Sequence, residues 1–340
     1  MSTESAPGWD ALQGALGIAR GELAAAAPDA ATAAEAETYL LRVMTAALND
    51  AFLPHLFRAG DLTRVLPARG APNPDYLMWF AGIDPSRRYR LEGCLQDSER
   101  VGIGLYRFSP SGALEIDGYA ALDPTTVGPE RRFSLDITAE AAGPAALSLT
   151  PETRALIVRI LHRAADGFPA VVTMSGAASK PARPSAPQRT LEQVGSTTLH
   201  GIRQFLRWSE LLSAAPNRLL DPPAAITAEV QGDPDTVYRL GYYALGENEW
   251  LHVTIPPGLH GYWSLYAYNH WCEVLPGAGV HDRSATADAD GHVRIHIGPT
   301  PPPGYINWID TVGRCRGVLI FRAIGETDVP ALSAEVRSDA

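Results

Sequence analysis

Residues 262–272 read YWSLYAYNHWC and residues 293–297 read VRIHI. In an extended chain successive side chains point to opposite faces. The first stretch therefore gathers Trp263, Leu265, Ala267 and Trp271 on one side and Ser264, Tyr266, Tyr268, His270 and Cys272 on the other. The second gathers Val293, Ile295 and Ile297 against His292, Arg294 and His296. Asp290-Gly291, just ahead of the second stretch, is a tight-turn signal. The pattern predicts antiparallel strands with one apolar face each, and two polar-aromatic faces brought onto one sheet surface.

Outward from these stretches, short runs at 89–95, 101–108, 113–119 and 132–137, punctuated by Gly, Pro and Asp, also read as strands. Residues 10–27 are alanine-rich and helical in propensity. Thr32-Ala33-Ala34-Glu35 reads as a capping box opening a helix through Leu40, Met44, Ala47, Leu48 and Ala51. Thr150-Pro151-Glu152 reads as the start of a helix over 151–166, and a further helix is expected over 194–214, with His200, Arg203 and Arg207 on its polar stripe. Residues 174–190, rich in Ser, Ala and Pro, have no apolar period. The expected organisation is a helical N-terminal region over 1–70, a first β module with its helix over 71–172, a linker or mobile loop over 173–192, and a helix plus C-terminal β-sandwich over 193–335. No internal repeat is evident in this reading. The fold class predicted is α+β, with antiparallel β-sandwich (jelly-roll-like) modules and flanking helices.

Composition removes several function classes. A net charge of -10 without a Lys/Arg-rich run disfavours nucleic acid and anionic membrane as partners. Three cysteines, Cys94, Cys272 and Cys315, lack C-x-x-C spacing, so neither a disulfide framework nor a thiolate zinc site is indicated. Lys180 is the only lysine and lies in the linker-like segment, which sets lysine-dependent chemistry aside. The N-terminus carries no signal-peptide pattern and no run of about 18 apolar residues occurs, so a cytoplasmic protein is expected. Elbow, zincin, P-loop and dinucleotide-binding motifs are absent, and Gly102-Ile103-Gly104 lacks the third glycine of the last.

Residues 73–93, NPDYLMWFAGIDPSRRYRLEG, together with 263–277 and 281–323, resemble a bacterial domain-of-unknown-function family. Its C-terminal module carries a tryptophan-containing strand, an Asp-Gly hairpin, a Pro-rich approach to Asn-Trp and an arginine closing the last strand. The resemblance implies a jelly-roll-like β-sandwich with helical additions and no established reaction. This chain has His281-Asp282-Arg283-Ser284 where relatives show an Arg-Ser-Asn type of turn.

The candidate site is placed in the C-terminal module, where His270, Arg283, Arg294, His296, Asn307 and Arg322 are expected to converge. His296 and His270 are the candidate acid–base residues. Arg283, Asn307, Trp308, Arg322 and Tyr266 are the candidate binding residues, Trp308 as part of the wall. No cofactor and no metal is expected. The function expected is a small-molecule enzyme without redox cofactor, of hydrolase, lyase or isomerase type, acting on a largely apolar metabolite with a polar or anionic group. The alternative is a non-catalytic module binding a carbohydrate or hydrophobic metabolite, and self-association is left open. Against both stands the ordinary reading of the polar alternation as a solvated sheet face.

Overall fold

The computed structural model describes residues 7–52, 57–64, 70–110, 113–141, 143, 145–178, 187–301, 304, 306–326 and 329–338. Helices α1 (Pro7–Ala26), α2 (Ala30–Phe52) and α4 (Pro187–Ser213) pack together around Leu12, Leu23, Tyr39, Leu40, Val43, Val194 and Ile202; α3 (Pro124–Val127) and α5 (Ala224–Thr227) are single turns. The cap of α2 is Asp29, whose Oδ1 accepts from the Thr32 amide at 2.8 Å, so this helix begins ahead of the expected capping box.

The first β module comprises β1 (Tyr76–Gly82), β2 (Tyr89–Cys94), β3 (Arg100–Phe108), β4 (Leu114–Leu122), β5 (Arg132–Thr138), β6 (Ala146–Ser148), β7 (Ala155–Leu161) and β8 (Val171–Ser175). The second comprises β9 (Leu219–Leu220), β10 (Thr236–Ala244), β11 (Glu249–Ile255), β12 (Trp263–Tyr268), β13 (Val274–His281), β14 (Val293–Gly298), β15 (Trp308–Asp310), β16 (Arg316–Ile324) and β17 (Ser333–Ser338). Each is a sandwich. Leu91, Val101, Ile103, Leu135, Ile137 and Val158 fill the first core, and Leu251, Val253, Leu265, Ile295, Ile297, Leu319 and Phe321 the second. The α+β class with antiparallel sandwiches and flanking helices is the architecture of the chain.

The two sandwiches have one topology. The first is β1-β7-β3-β4 over β6-β5-β2-β8, and the second, apart from the extra edge strand β9, is β10-β16-β12-β13 over β15-β14-β11-β17. In both, a three-residue sixth strand joins its sheet in parallel while the other pairings are antiparallel. In both, the third and fourth strands shift register at the matching place, Leu105/Tyr106 and Tyr266/Tyr268. Superposing the ladders sets Leu156-Ile157-Val158-Arg159 on Leu319-Ile320-Phe321-Arg322, and Asn73-Pro74-Asp75 on Asp233-Pro234-Asp235. The chain thus carries a duplicated eight-strand unit whose two copies are not evident as a repeat in the sequence.

Several local expectations change. The helix predicted over 151–166 is instead the turn at Pro151 followed by β7, a central strand paired to both β1 and β3. A strand buried on both faces shows no alternation, and the run ALIVRIL fits a helix period equally well. The hydroxyl of Thr150, read as a cap, bonds Asp117 instead, as does that of Thr153. The strand expected over 262–272 ends at Tyr268, and Cys272 turns the chain with φ 59°. The segment 174–190 divides into the end of β8 and the start of α4, while 179–186 lies outside the described residues. Among the described residues no helix is long and apolar enough to cross a membrane.

Candidate functional site

The expected cluster does not converge. β12 and β14 belong to different sheets of the C-terminal sandwich, so their polar faces look away from each other across the core. On the outer face of one sheet, His296 Nε2 lies 2.9 Å from Nδ1 of His252, its cross-strand neighbour on β11. Trp308 sits beside it on β15, with Nε1 donating to the Gly298 carbonyl. The Asn307 side chain is spent on backbone, accepting from the Thr286 amide and donating to the Thr286 and Arg294 carbonyls. On the outer face of the other sheet lie Tyr266 and Arg322, covered by α4 through Trp208 and Leu212 and by the 71–75 segment. That face is therefore neither solvated nor open. His270 follows β12 and pairs through Nδ1 with the Tyr242 hydroxyl at 2.7 Å. Arg283 is exposed and ion-paired to Glu99 at 3.0 Å. Arg294 bonds Asp288 and Asp290 on the surface.

What the fold assembles instead is a polar, tyrosine-rich seam between the two modules. Each Asx-Pro-Asp turn reaches across to the other module. Asp75 accepts from the Tyr262 and Tyr266 hydroxyls, both at 2.7 Å, and Asn73 Nδ2 donates to Tyr262 at 2.7 Å. In the opposite sense Asp233 and Asp235 hold Arg100, at 3.4 Å and 2.5 Å, and Arg100 also donates to Tyr119. Tyr262 and Arg100 are matching positions at the head of the third strand of each module, so the seam is an exchange of equivalent contacts. Burial, reinforced by the Asp75 and Asp233 carboxylates, pushes the phenols of Tyr262, Tyr266 and Tyr119 upward, which keeps them protonated as donors.

The two matching arginines differ in what they hold. Arg322 donates Nη1 to the Tyr268 hydroxyl at 2.9 Å and Nη2 to the Ala71 carbonyl at 2.7 Å, and Tyr268 in turn donates to the Pro72 carbonyl. It is 7% exposed. Arg159 repeats the first contact, Nη1 to the Tyr106 hydroxyl at 2.7 Å, but among the described residues nothing repeats the second. Arg159 is enclosed by protein on nearly every side and still keeps part of its surface open. Burial works against its charge, and the phenol oxygens of Tyr106, Tyr238 and Tyr119 together more than offset this. Its cross-strand neighbours are Met78, 40% exposed, and Gly102.

Glycine shapes the surroundings of Arg159. A Cβ at Gly104 would lie 2.6 Å from the Tyr106 ring, and one at Gly102 would strike the Tyr119 hydroxyl. The two glycines, which fit no dinucleotide motif, let Tyr106 and Tyr119 lie flat across β3; the matching positions in β12 are Ser264 and Tyr266. The Tyr76 hydroxyl is also buried at the seam and has no hydrogen-bond partner among the described residues. The signal that could have located these residues is the recurrence of Leu-Ile-x-Arg and Asx-Pro-Asp at matching distances from the strands they serve.

No family model matches the chain, and no curated protein matches it. Among solved structures the chain is similar to an uncharacterised protein of Burkholderia cenocepacia, with a TM-score of 0.85 and 24% identity over 97% of this chain and 96% of that one. It is also similar to the VPA0106 protein of Vibrio parahaemolyticus, with a TM-score of 0.52 and 13% identity over 89% of this chain and 97% of that one. At these identities the likeness is one of fold: two helix-decorated β-sandwiches in a single chain.

Proposed function

We propose that this is a cytoplasmic small-molecule binding protein whose ligand reaches the seam between the two β modules and places a polar or anionic group on the open edge of Arg159. The observation that carries this reading is the contrast between the twin arginines. Arg322 has its hydrogen bonds completed by the protein's own 71–72 backbone, whereas Arg159 retains N–H groups with no acceptor among the described residues. A guanidinium so enclosed is costly unless its donors are met. Met78, Phe80 and Ile157 share its sheet face and offer an apolar bed. Acid–base chemistry at His270 and His296 is the weaker reading. Burial holds both imidazoles down to about 4, and each has a ring nitrogen engaged by a protein side chain.

Ligand-observed NMR with benzoate, octanoate, phenyl phosphate and toluenesulfonate tests the proposal. At least one should bind the wild-type chain and lose that binding in Arg159→Ala with the circular dichroism spectrum unchanged. Failure of all four, or binding that survives the substitution, rejects it.

A further inference from the structure

The edge of Arg159 left open identifies the chemistry of its ligand. A guanidinium presents two donors side by side on the Nε/Nη2 edge, spaced to meet both oxygens of one carboxylate. This protein uses that edge repeatedly. Arg163 directs Nε and Nη2 to Glu99, Arg203 directs the same pair to Glu22, and Arg58 does so to Asp61. In Arg159 the Tyr106 hydroxyl takes Nη1, which fixes the plane of the group, and among the described residues neither Nε nor Nη2 is bonded. In the twin, Nη2 of Arg322 receives a carbonyl oxygen, that of Ala71, at 2.7 Å.

Charge sets the valence. Arg100 is already shared by Asp233 and Asp235, and the three arginines of the seam, Arg100, Arg159 and Arg322, are matched in number by its three aspartates, Asp75, Asp233 and Asp235, without a ligand. A monoanion leaves one negative charge in this largely enclosed seam and a dianion leaves two, a difference that reduced dielectric magnifies. The neighbour across the ladder is the thioether of Met78, not a second cation.

Building on the binding reading above, we infer that the ligand is a monocarboxylate with an apolar body. Its two oxygens lie side-on across Nε and Nη2 of Arg159, and its body runs over Met78. Tyr106 is a positioning residue in this arrangement, since it touches the guanidinium and not the ligand.

Calorimetric titration of the full chain with octanoate, octanamide, benzoate and phenyl phosphate tests the inference. Octanoate should bind about ten-fold or more tightly than octanamide, and phenyl phosphate no more tightly than benzoate. Arg159→Lys, which keeps the charge and loses the fork, should weaken octanoate by about ten-fold. Met78→Glu, at a half-exposed position, should place a competing carboxylate on the same edge and weaken octanoate at least as much, with thermal stability unchanged or raised. Phosphate preferred over carboxylate with Arg159 still required, or full affinity in Arg159→Lys, overturns the carboxylate inference and leaves the binding reading standing. Loss of Arg159 dependence for every probe overturns both.

Discussion

The two β modules carry the same eight strands in the same order, and they differ in what lies on the outer face of the sheet that holds the arginine. In the C-terminal module that face is filled: Tyr266 and Tyr268 occupy it, α4 covers it, and the 71–72 backbone completes Arg322. In the N-terminal module glycines stand at 102 and 104, Met78 replaces Tyr238 beside the arginine, and Arg159 keeps an open edge. A duplicated framework has thus been closed at one copy and left accessible at the other. The closed copy also shows what kind of atom suits the open one.

The comparison can be broken most forcefully with acid. Burial lowers His270 and His296 to about 4, whereas unfolded histidine titrates near ~6.5. Because the unfolded chain binds protons that the native one refuses, stability is complete above the unfolded value and falls as pH drops from about 6.5 toward 4, at roughly 1 kcal/mol per unit for each histidine. Both residues lie in the C-terminal module, so amide exchange on acidification should open β12, β14 and β16 before β3 and β7. His270→Gln should flatten the dependence, and simultaneous opening of both modules would contradict it.

Truncating the twins should separate them next. Arg322→Ala leaves the Ala71 carbonyl without its donor, takes from the Tyr268 hydroxyl the hydrogen bond it accepts and opens a buried void, and should cost about 3 kcal/mol, against about 1 kcal/mol for Arg159→Ala, which removes one hydrogen bond at a partly open position. Equal losses of urea midpoint would show that the two environments do not differ as described. A smaller effect is expected from Gly104→Ala, whose methyl would press on the Tyr106 ring and should destabilise by about 1–3 kcal/mol. Smallest is the difference between the exchanged turns. Asp75→Asn disturbs a buried carboxylate that accepts two phenols and should cost about 2 kcal/mol, whereas Asp235→Asn, with a half-exposed side chain, should cost under about 1 kcal/mol by thermal unfolding.

The sequence by itself determined the class of the fold. Period-two alternation in 262–268 and 293–297 assigns each residue to the correct face, because the inter-sheet core takes the apolar side chains and the outer face the polar and tyrosine ones, even in β12, where α4 buries the outer face as well. It also placed α1 and α2 to within a few residues of their ends and the C-terminal end of α4 to within one, but α4 starts at Pro187, seven residues ahead of the expected 194 and inside the expected linker. It misassigned β7, because ALIVRIL is apolar on both faces and carries no such imprint. Which sheet each strand joins was settled only by long-range pairing, and this parted His296 and Trp308 from Arg322 and Tyr266 although all four lie within 60 or so residues of one another. The seam was likewise beyond local reading. Asp75 meets Tyr262, and Arg100 meets Asp233, over more than a hundred intervening residues, and whether an arginine's donors are satisfied depends on which distant backbone carbonyl arrives beside it. Ala71 arrives at Arg322 and no described residue takes the matching place at Arg159, a difference that resides in packing and not in the Leu-Ile-x-Arg motif the two share.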